Sequence, residues 1–236
     1  MISKTAMTEL VKRFAWKDVK KGLDENPKLL AYRDERGRNW LHLCCSIDIT
    51  AHEELKTSDS IELAALLLER GLGLDTPAFT EGDWHATPLW YAIGRGQNLE
   101  LAKFLLKRGC NPNHCLWAAV FKDDHAAMRL LVKHGADVNA RHEDGPPFIA
   151  AVKWSRFAGA KVLLDLGADV DAVDRDGMTA LHYMLRKDSD KKHFRMIVAH
   201  GARGDLPNAR GETAAEIMRR KRDPEFKALA DKLRSG

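Results

Sequence analysis

The stretch "HGADVNARHEDG", His134 to Gly145, contains a phrase that returns. "GADVNA" begins at Gly135 and "GADVDA" at Gly167, 32 residues on. Around this pair, "LLERGLGLD", "LLKRGCNPN", "LVKHGADVN", "LLDLGADVD" and "IVAHGARGD" each place a glycine after an amphipathic run, mostly with Lys, Arg or His near its end. Glycine takes the left-handed backbone that closes a helix, and a cation suits the negative end of the helix dipole. Gly71, Gly109, Gly135, Gly167 and Gly201 are separated by 38, 26, 32 and 34 residues. Helix stops at so nearly constant a period predict stacked, repeated units.

The helix starts repeat as well. "ATPLWYA" (86–92) and "MTALHYM" (178–184) each carry a Thr just before an apolar run, and "RNWLHLC" (38–44) is a weaker relative. Thr87 can cap the first free amides, and Pro88 fits the first helical position, where its missing N–H costs nothing. The second helix of a unit shows its core face at i, i+4, as in Leu101 with Leu105 and Ala102 with Leu106. Neither helix could bury its apolar face alone, whereas stacked units can.

Start, stop and period together resemble the ankyrin repeat: a β-turn finger, a Thr-Pro-Leu-His helix start, a second helix, then Gly-Ala-Asp-Val-Asn-Ala. The resemblance covers nearly the whole chain and implies an all-α ankyrin-repeat solenoid, one domain over residues 3–234. Five units are read at 34–75, 76–111, 112–137, 138–169 and 170–203. An N-terminal half-repeat is expected over about 3–33, and a polar-faced capping repeat over 204–234.

Departures from the pattern are informative. The first unit carries a polar insertion, "IDITAHEELKTSDS" (47–60), expected as an excursion away from the fingers. The third unit is seven residues short of the family period of about 33, so "NPNHCLWAAV" leaves no room for a full finger. The fourth opens on "GPPFIAA", where Pro146 and Pro147 stiffen the helix start. In the second unit Trp90 stands where the family has His.

Composition bounds the function. With 44% hydrophobic and 31% charged residues the 236-residue chain is a folded one. A net charge of +4 is too mild to point to nucleic acid or membranes. No apolar run approaches the ~20 residues that span a bilayer, and the start "MISKTAMTELVKRFA" lacks a signal-type apolar core, so a cytoplasmic location is expected. Four cysteines, adjacent at 44–45 and close at 110 and 115, do not form a disulfide framework.

What the resemblance implies about function is recognition of a protein partner on the concave surface of fingers and inner helices, by a monomer acting in trans as an adaptor or inhibitor. A rigid curved surface loses little ordering entropy on binding, and anchors are enriched in Trp, Tyr and Arg. The candidate finger residues are Trp84 and His85; Trp90 begins the next inner helix. Groove positions after each inner helix's small pair are Gly94 and Arg95, Val120 and Phe121, Val152 and Lys153, Arg186 and Lys187. The missing finger predicts a notch beside Trp84, floored by Phe121, with Trp154 and Phe157 beyond and Arg95, Lys153, Arg186 and Lys187 on the rim. The rival reading has Phe121 merely filling the gap. Trp117 and Trp40 fall at core positions of the repeat, and Trp16 belongs to the N-terminal segment.

Chemistry is weighed and set aside. "CNPNHC" gathers Cys110, His114 and Cys115, but a structural zinc site wants four ligands, and small buried cysteines beside a turn histidine explain the stretch better. Cys44 and Cys45 stand where the family has paired alanines, and His42 and His182 at its structural histidine. No phosphate loop or nucleophile elbow occurs. No cofactor, metal or catalysis is therefore expected. The run "RRKR" (219–222) is surrounded by Glu216, Asp223 and Glu225 and reads as a solvated face. A nucleic-acid or anionic-surface binder using that run stays open as the alternative, with a thiol or metal centre at Cys110, His114 and Cys115 a weaker third.

Overall fold

A computed structural model describes residues 2–81, 84–113, 115–141 and 145–234; the side chains of Thr80, Glu81 and Trp84 lie outside that description. The chain divides into two compact units, Met1–Ala119 and Val120–Gly236. In the first, α1 (Lys4–Lys12) and α2 (Trp16–Glu25) lead through a 3-10 turn at Pro27–Ala31 to α3 (Trp40–Ser46), α4 (Thr57–Glu69), α5 (Pro88–Gly94) and α6 (Leu99–Lys107). Segment 3–33, read above as a half-repeat, thus holds a pair of helices. The finger of the second repeat is a two-stranded hairpin, β1 (Thr80–Glu81) with β2 (Trp84–His85), in the register Thr80 opposite His85. Helix α7 (Leu116–Lys122) spans the division. The second unit continues with α8 (His125–Lys133), α9 (Pro147–Lys153), α10 (Phe157–Asp165), α11 (Ala180–Arg186), α12 (Lys191–Ala199), α13 (Ala214–Arg220) and α14 (Pro224–Ala230).

The recurring glycines do what their spacing predicts. After α4, α6, α8 and α10 the glycine amide bonds the second-last helical carbonyl, and the next amide bonds the third-last. The pairs are Gly71 to Leu68 and Leu72 to Leu67, Gly109 to Leu106 and Cys110 to Leu105, Gly135 to Val132 and Ala136 to Leu131, Gly167 to Leu164 and Ala168 to Leu163. These satisfy carbonyls the helix end would orphan. All four glycines sit at φ between +88° and +94°, and a Cβ on any of them would meet nothing within 4 Å. Backbone conformation rather than space therefore demands glycine there.

A second left-handed position lies twelve residues before three of these stops. Gln97, Asp123 and Ser155, at φ 46°, 55° and 58°, turn the first helix of a repeat into the second, and Asp188 at 50° serves the following repeat. None of the four is glycine, so the sequence hid this turn.

The fingers are built by one device used three times. Asp34 Oδ1 accepts the amides of Arg36 and Arg38, Asp174 Oδ1 those of Asp176 and Met178, and Asn208 Oδ1 those of Arg210 and Glu212. Each turn then closes on a left-handed glycine, Gly37, Gly177 or Gly211. Neighbouring repeats are tied by the residues after each helix stop. Asp75 Oδ1 accepts the Asn111 amide (3.0 Å), Asn139 Oδ1 that of Asp169 (2.8 Å), and Asp171 Oδ1 that of Arg203 (2.7 Å). This ladder is why "GADVNA" has to be written again in the next repeat.

His42 and His182 act as repeat-linking residues. His42 Nε2 lies 2.8 Å from the Thr76 carbonyl and His182 Nε2 3.0 Å from that of Glu212, while each Nδ1 accepts an amide at its own helix start. Both rings are buried, and burial lowers their pKa, that of His42 to about 4. The imidazoles are therefore neutral at pH 7. The 47–60 insertion is shorter than it reads, because Thr57–Ser60 form the first turn of α4. Its start folds as a 3-10 turn over Ile49–Ala51, held to the second repeat through Ile49 N to the Gly96 carbonyl (3.1 Å) and Gln97 Nε2 to Asp48 Oδ2 (2.8 Å).

Three readings of burial need correction. Val120 and Val152, expected toward the groove, are fully buried, because the short helices α7 and α9 turn their β-branched residues into the core, and the first positions outside it are the next ones, Phe121 and Lys153. Trp117, expected in the core, is half-buried; its neighbours Leu116, Ala118 and Ala119 fill the interior instead. Trp40 is core as expected, its indole N–H donating to the Leu29 carbonyl at 2.7 Å and its ring stacked on Tyr32.

Candidate functional site

In the Val120–Gly236 unit the inner helices end in a row of side chains that the core does not use. Phe121 and Trp154 are 58% and 42% exposed, and their rings meet edge to face at 5.5 Å. Leaving two large aromatics in contact with each other and with water costs hydrophobic free energy that a folded core would have recovered. Left-handed turns at Asp123 and Ser155 fix where the two helices stop and so bring the rings together.

Beside them, Tyr183 on α11 gathers cations. Lys153 Nζ lies 5.5 Å and Arg186 Cζ 4.7 Å from its ring centre. The Tyr183 hydroxyl donates to the buried carboxylate of Asp174. Burial, reinforced by that carboxylate, pushes the phenol up to about 12, so it remains the donor. For Asp174, burial would raise the pKa, but the Tyr183 hydroxyl and the finger amides outweigh it and hold the group ionised. Lys187, also expected on the rim, is committed elsewhere, its ammonium donating to the Lys153 carbonyl and to Ser155 Oγ (3.0 Å).

Four predicted site residues, Phe121, Lys153, Trp154 and Arg186, therefore share one face of the second unit. The other four lie in the first unit. His85 and Arg95 are exposed, and Trp90 is half-buried with an edge contact to Tyr91 at 5.2 Å. The Trp84 side chain lies outside the described residues. Phe157, expected beyond the notch, instead stacks on His193 of α12 at 3.7 Å, on the outer helices.

Sequence reasoning missed a cleft of about 400 Å³ in the same unit, between α11, α13 and their two fingers. Met178, Leu185 and Ile217 form its apolar floor, and Asp176, Arg186, Arg210 and Glu212 line it as well. The repeated finger motif ending in Gly177 and Gly211 placed Asp176 and Arg210 at matching turn positions. That was the available signal.

The chemical alternatives find little support. All four cysteines are buried and unpaired, and burial raises every thiol pKa, that of Cys110 to about 12. Among the described residues no cluster of three His, Cys, Asp or Glu could hold a metal; His114 lies outside them. In the "RRKR" run Arg219 meets Asp231 at 3.4 Å, Arg220 meets Glu212 at 3.5 Å and Lys221 meets Asp188 at 3.3 Å. Carboxylates so close would have to be displaced before phosphates could bind. No described helix is long and apolar enough to cross a membrane.

Comparison with known proteins agrees with this architecture. Residues 89–174 match the family model for ankyrin repeats, in three copies. The chain carries ankyrin repeats. Over 152 residues, 58% of the chain, it is 34% identical to the mouse "Ankyrin repeat and SOCS box protein 6". Over 54% of its length it is 29% identical to the Legionella pneumophila "Phosphocholine transferase AnkX", of which the match covers 14%. The chain spans about a third of the length of the mouse relative, 36%. Among solved structures it resembles the human ASB11 ankyrin repeat domain, with TM-score 0.73 over 100% of both chains. It also resembles the ankyrin repeat domain of Bcl-3, with TM-score 0.76 over 98% of this chain and 100% of that one. Both structures are 20% identical to it and bear on the fold, an all-α ankyrin-repeat domain. Ankyrin-repeat proteins generally mediate protein–protein interaction.

Proposed function

We propose that this ankyrin-repeat chain is a non-catalytic adaptor or inhibitor, working in the cytoplasm as a monomer, that holds a partner protein on the inner-helix face of its second unit. The exposed contact between Phe121 and Trp154 carries the reading. Aromatic anchors of this kind, flanked by Lys153 and Arg186, have the composition of an interface hot spot, where large rings supply area and cations supply orientation. The face is pre-formed by short rigid helices, so a partner would pay little to order it. His85, Trp90 and Arg95, with Trp84, are secondary candidates on the first unit.

The test is affinity capture with three forms of the chain: wild type, the Phe121→Ser, Trp154→Ser double variant, and Phe79→Ser. Phe79 is the third large exposed apolar side chain among the described residues and lies in the other unit. A partner retained by wild type and Phe79→Ser but lost by the double variant is the expected result. Equal recovery by all three would refute the assignment of this face.

A further inference from the structure

The cleft between α11 and α13, together with the cations beside it, goes beyond this reading and says what kind of partner the face would take. We infer that the second unit binds an extended acidic segment of a polypeptide, seating one aliphatic side chain in the cleft and its flanking carboxylates on Arg186 and Arg210. The inference rests on the docking face proposed above and adds the chemistry of the occupant.

Charge distribution is the first support. Residues 1–119 hold 16 Lys and Arg against 16 Asp and Glu, whereas residues 120–236 hold 22 against 18. The whole net charge of +4 thus belongs to the unit with the exposed aromatic face. The excess is mild, so it permits an acidic segment without steering it from afar, and contacts with the local arginines would weaken with salt.

Local geometry is the second. Arg186 is held over the Tyr183 ring and also lines the cleft, and Arg210 reaches the same cleft from the finger at Asn208. Among the described residues no carboxylate pairs with either guanidinium. Two planar, permanently charged forks at one opening suit carboxylates, which accept two parallel N–H bonds.

The floor distinguishes a peptide from a nucleic acid. Met178, Leu185 and Ile217 leave an apolar surface that an aliphatic side chain would cover. Of a nucleic acid only the small thymine methyl could do so. Asp176 and Glu212 on the lining leave the two guanidiniums as the places for carboxylates, and each can accept an amide N–H from the peptide backbone between them.

The experiment pans a phage-displayed library of random dodecapeptides on the full chain. Recovered peptides are then measured by fluorescence anisotropy at low and physiological salt, against wild type, Arg186→Glu, Arg210→Glu and the Phe121→Ser, Trp154→Ser variant. Both arginines are exposed, so each charge reversal should leave the unit folded, with Arg186→Glu melting slightly below wild type because it gives up its place over the Tyr183 ring. The expected result is enrichment of Asp and Glu around a Leu, Ile or Met, with affinity falling at least about tenfold in each charge reversal. Enrichment of neutral or basic peptides, or of none, overturns the inference. So does competition by single-stranded DNA in preference to the selected peptides. Non-acidic peptides that lose binding in the Phe121, Trp154 variant would sink the acidic preference and leave the docking face standing. Acidic peptides indifferent to all three variants would sink both.

Discussion

Acidification should loosen the first unit through one buried ring. His42 is fully buried and has two duties, accepting the Asn39 amide at Nδ1 (3.2 Å) and bonding the Thr76 carbonyl from Nε2 (2.8 Å). Burial pushes its pKa down to about 4, with Arg33 and Arg38 adding to the effect; the Thr76 carbonyl and Asp34 oppose it. Freed by unfolding, the imidazole returns to about 6.5. The folded value is the lower one, so between these limits the unfolded chain binds the extra proton, and stability falls as pH falls. Above pH 6.5 nothing is lost. At pH 5 the difference amounts to about 2 kcal/mol, rising toward about 3.4 kcal/mol below pH 4. Asn39 Oδ1, 2.7 Å from Nδ1, is an acceptor that a charged ring would find, which makes these figures upper bounds. Urea titrations of wild type and His42→Gln at pH 7 and pH 5, followed by far-ultraviolet circular dichroism, isolate the effect. Other groups with displaced pKa values, His182 and Asp34 among them, are common to both proteins and cancel. Wild type should lose about 2 kcal/mol more than the variant between the two pH values. Equal losses would refute the role given to His42.

Other perturbations test the repeat architecture. Gly135→Ala keeps its space but not its backbone freedom at φ +93°, and should cost about 1–2 kcal/mol of unfolding free energy. Trp40→Phe removes the indole donor to the Leu29 carbonyl, which keeps only the Tyr32 amide, and should cost about 0.5–1.5 kcal/mol, read by the same titration. The four thiols, buried and raised in pKa, should react with an aromatic disulfide reagent only after denaturant is added; a fast-reacting thiol in the folded chain would contradict their placement.

Much of the fold was legible because it is written in backbone-demanding residues. The stop glycines, the capping Thr87 and Thr179, and the linking His42 and His182 have roles that few other residues can fill, so their spacing alone announced the repeat. The turns at Gln97, Asp123, Ser155 and Asp188 escaped because ordinary side chains were forced into a left-handed conformation by the packing on either side. Burial was harder still. Val120 and Phe121 are neighbours of similar hydropathy, and only the pitch of a seven-residue helix decides which goes inside. Of the candidate site, the aromatic and basic residues at the ends of α7, α9 and α11 were readable from repeat positions. The cleft was not, because Met178, Leu185, Arg210 and Ile217 come from two fingers and two helices whose approach depends on stacking.

The central claim is tested most directly by the footprint of a captured partner, mapped by hydrogen–deuterium exchange on the full chain. Binding on the inner-helix face predicts protection at the ends of α7, α9 and α11 and the turns that follow them, extending to the finger at Asn208–Glu212 where the cleft is occupied. Protection on the outer helices α8, α10 and α12, or on the 47–56 insertion, with α9 and α11 unchanged, would contradict it.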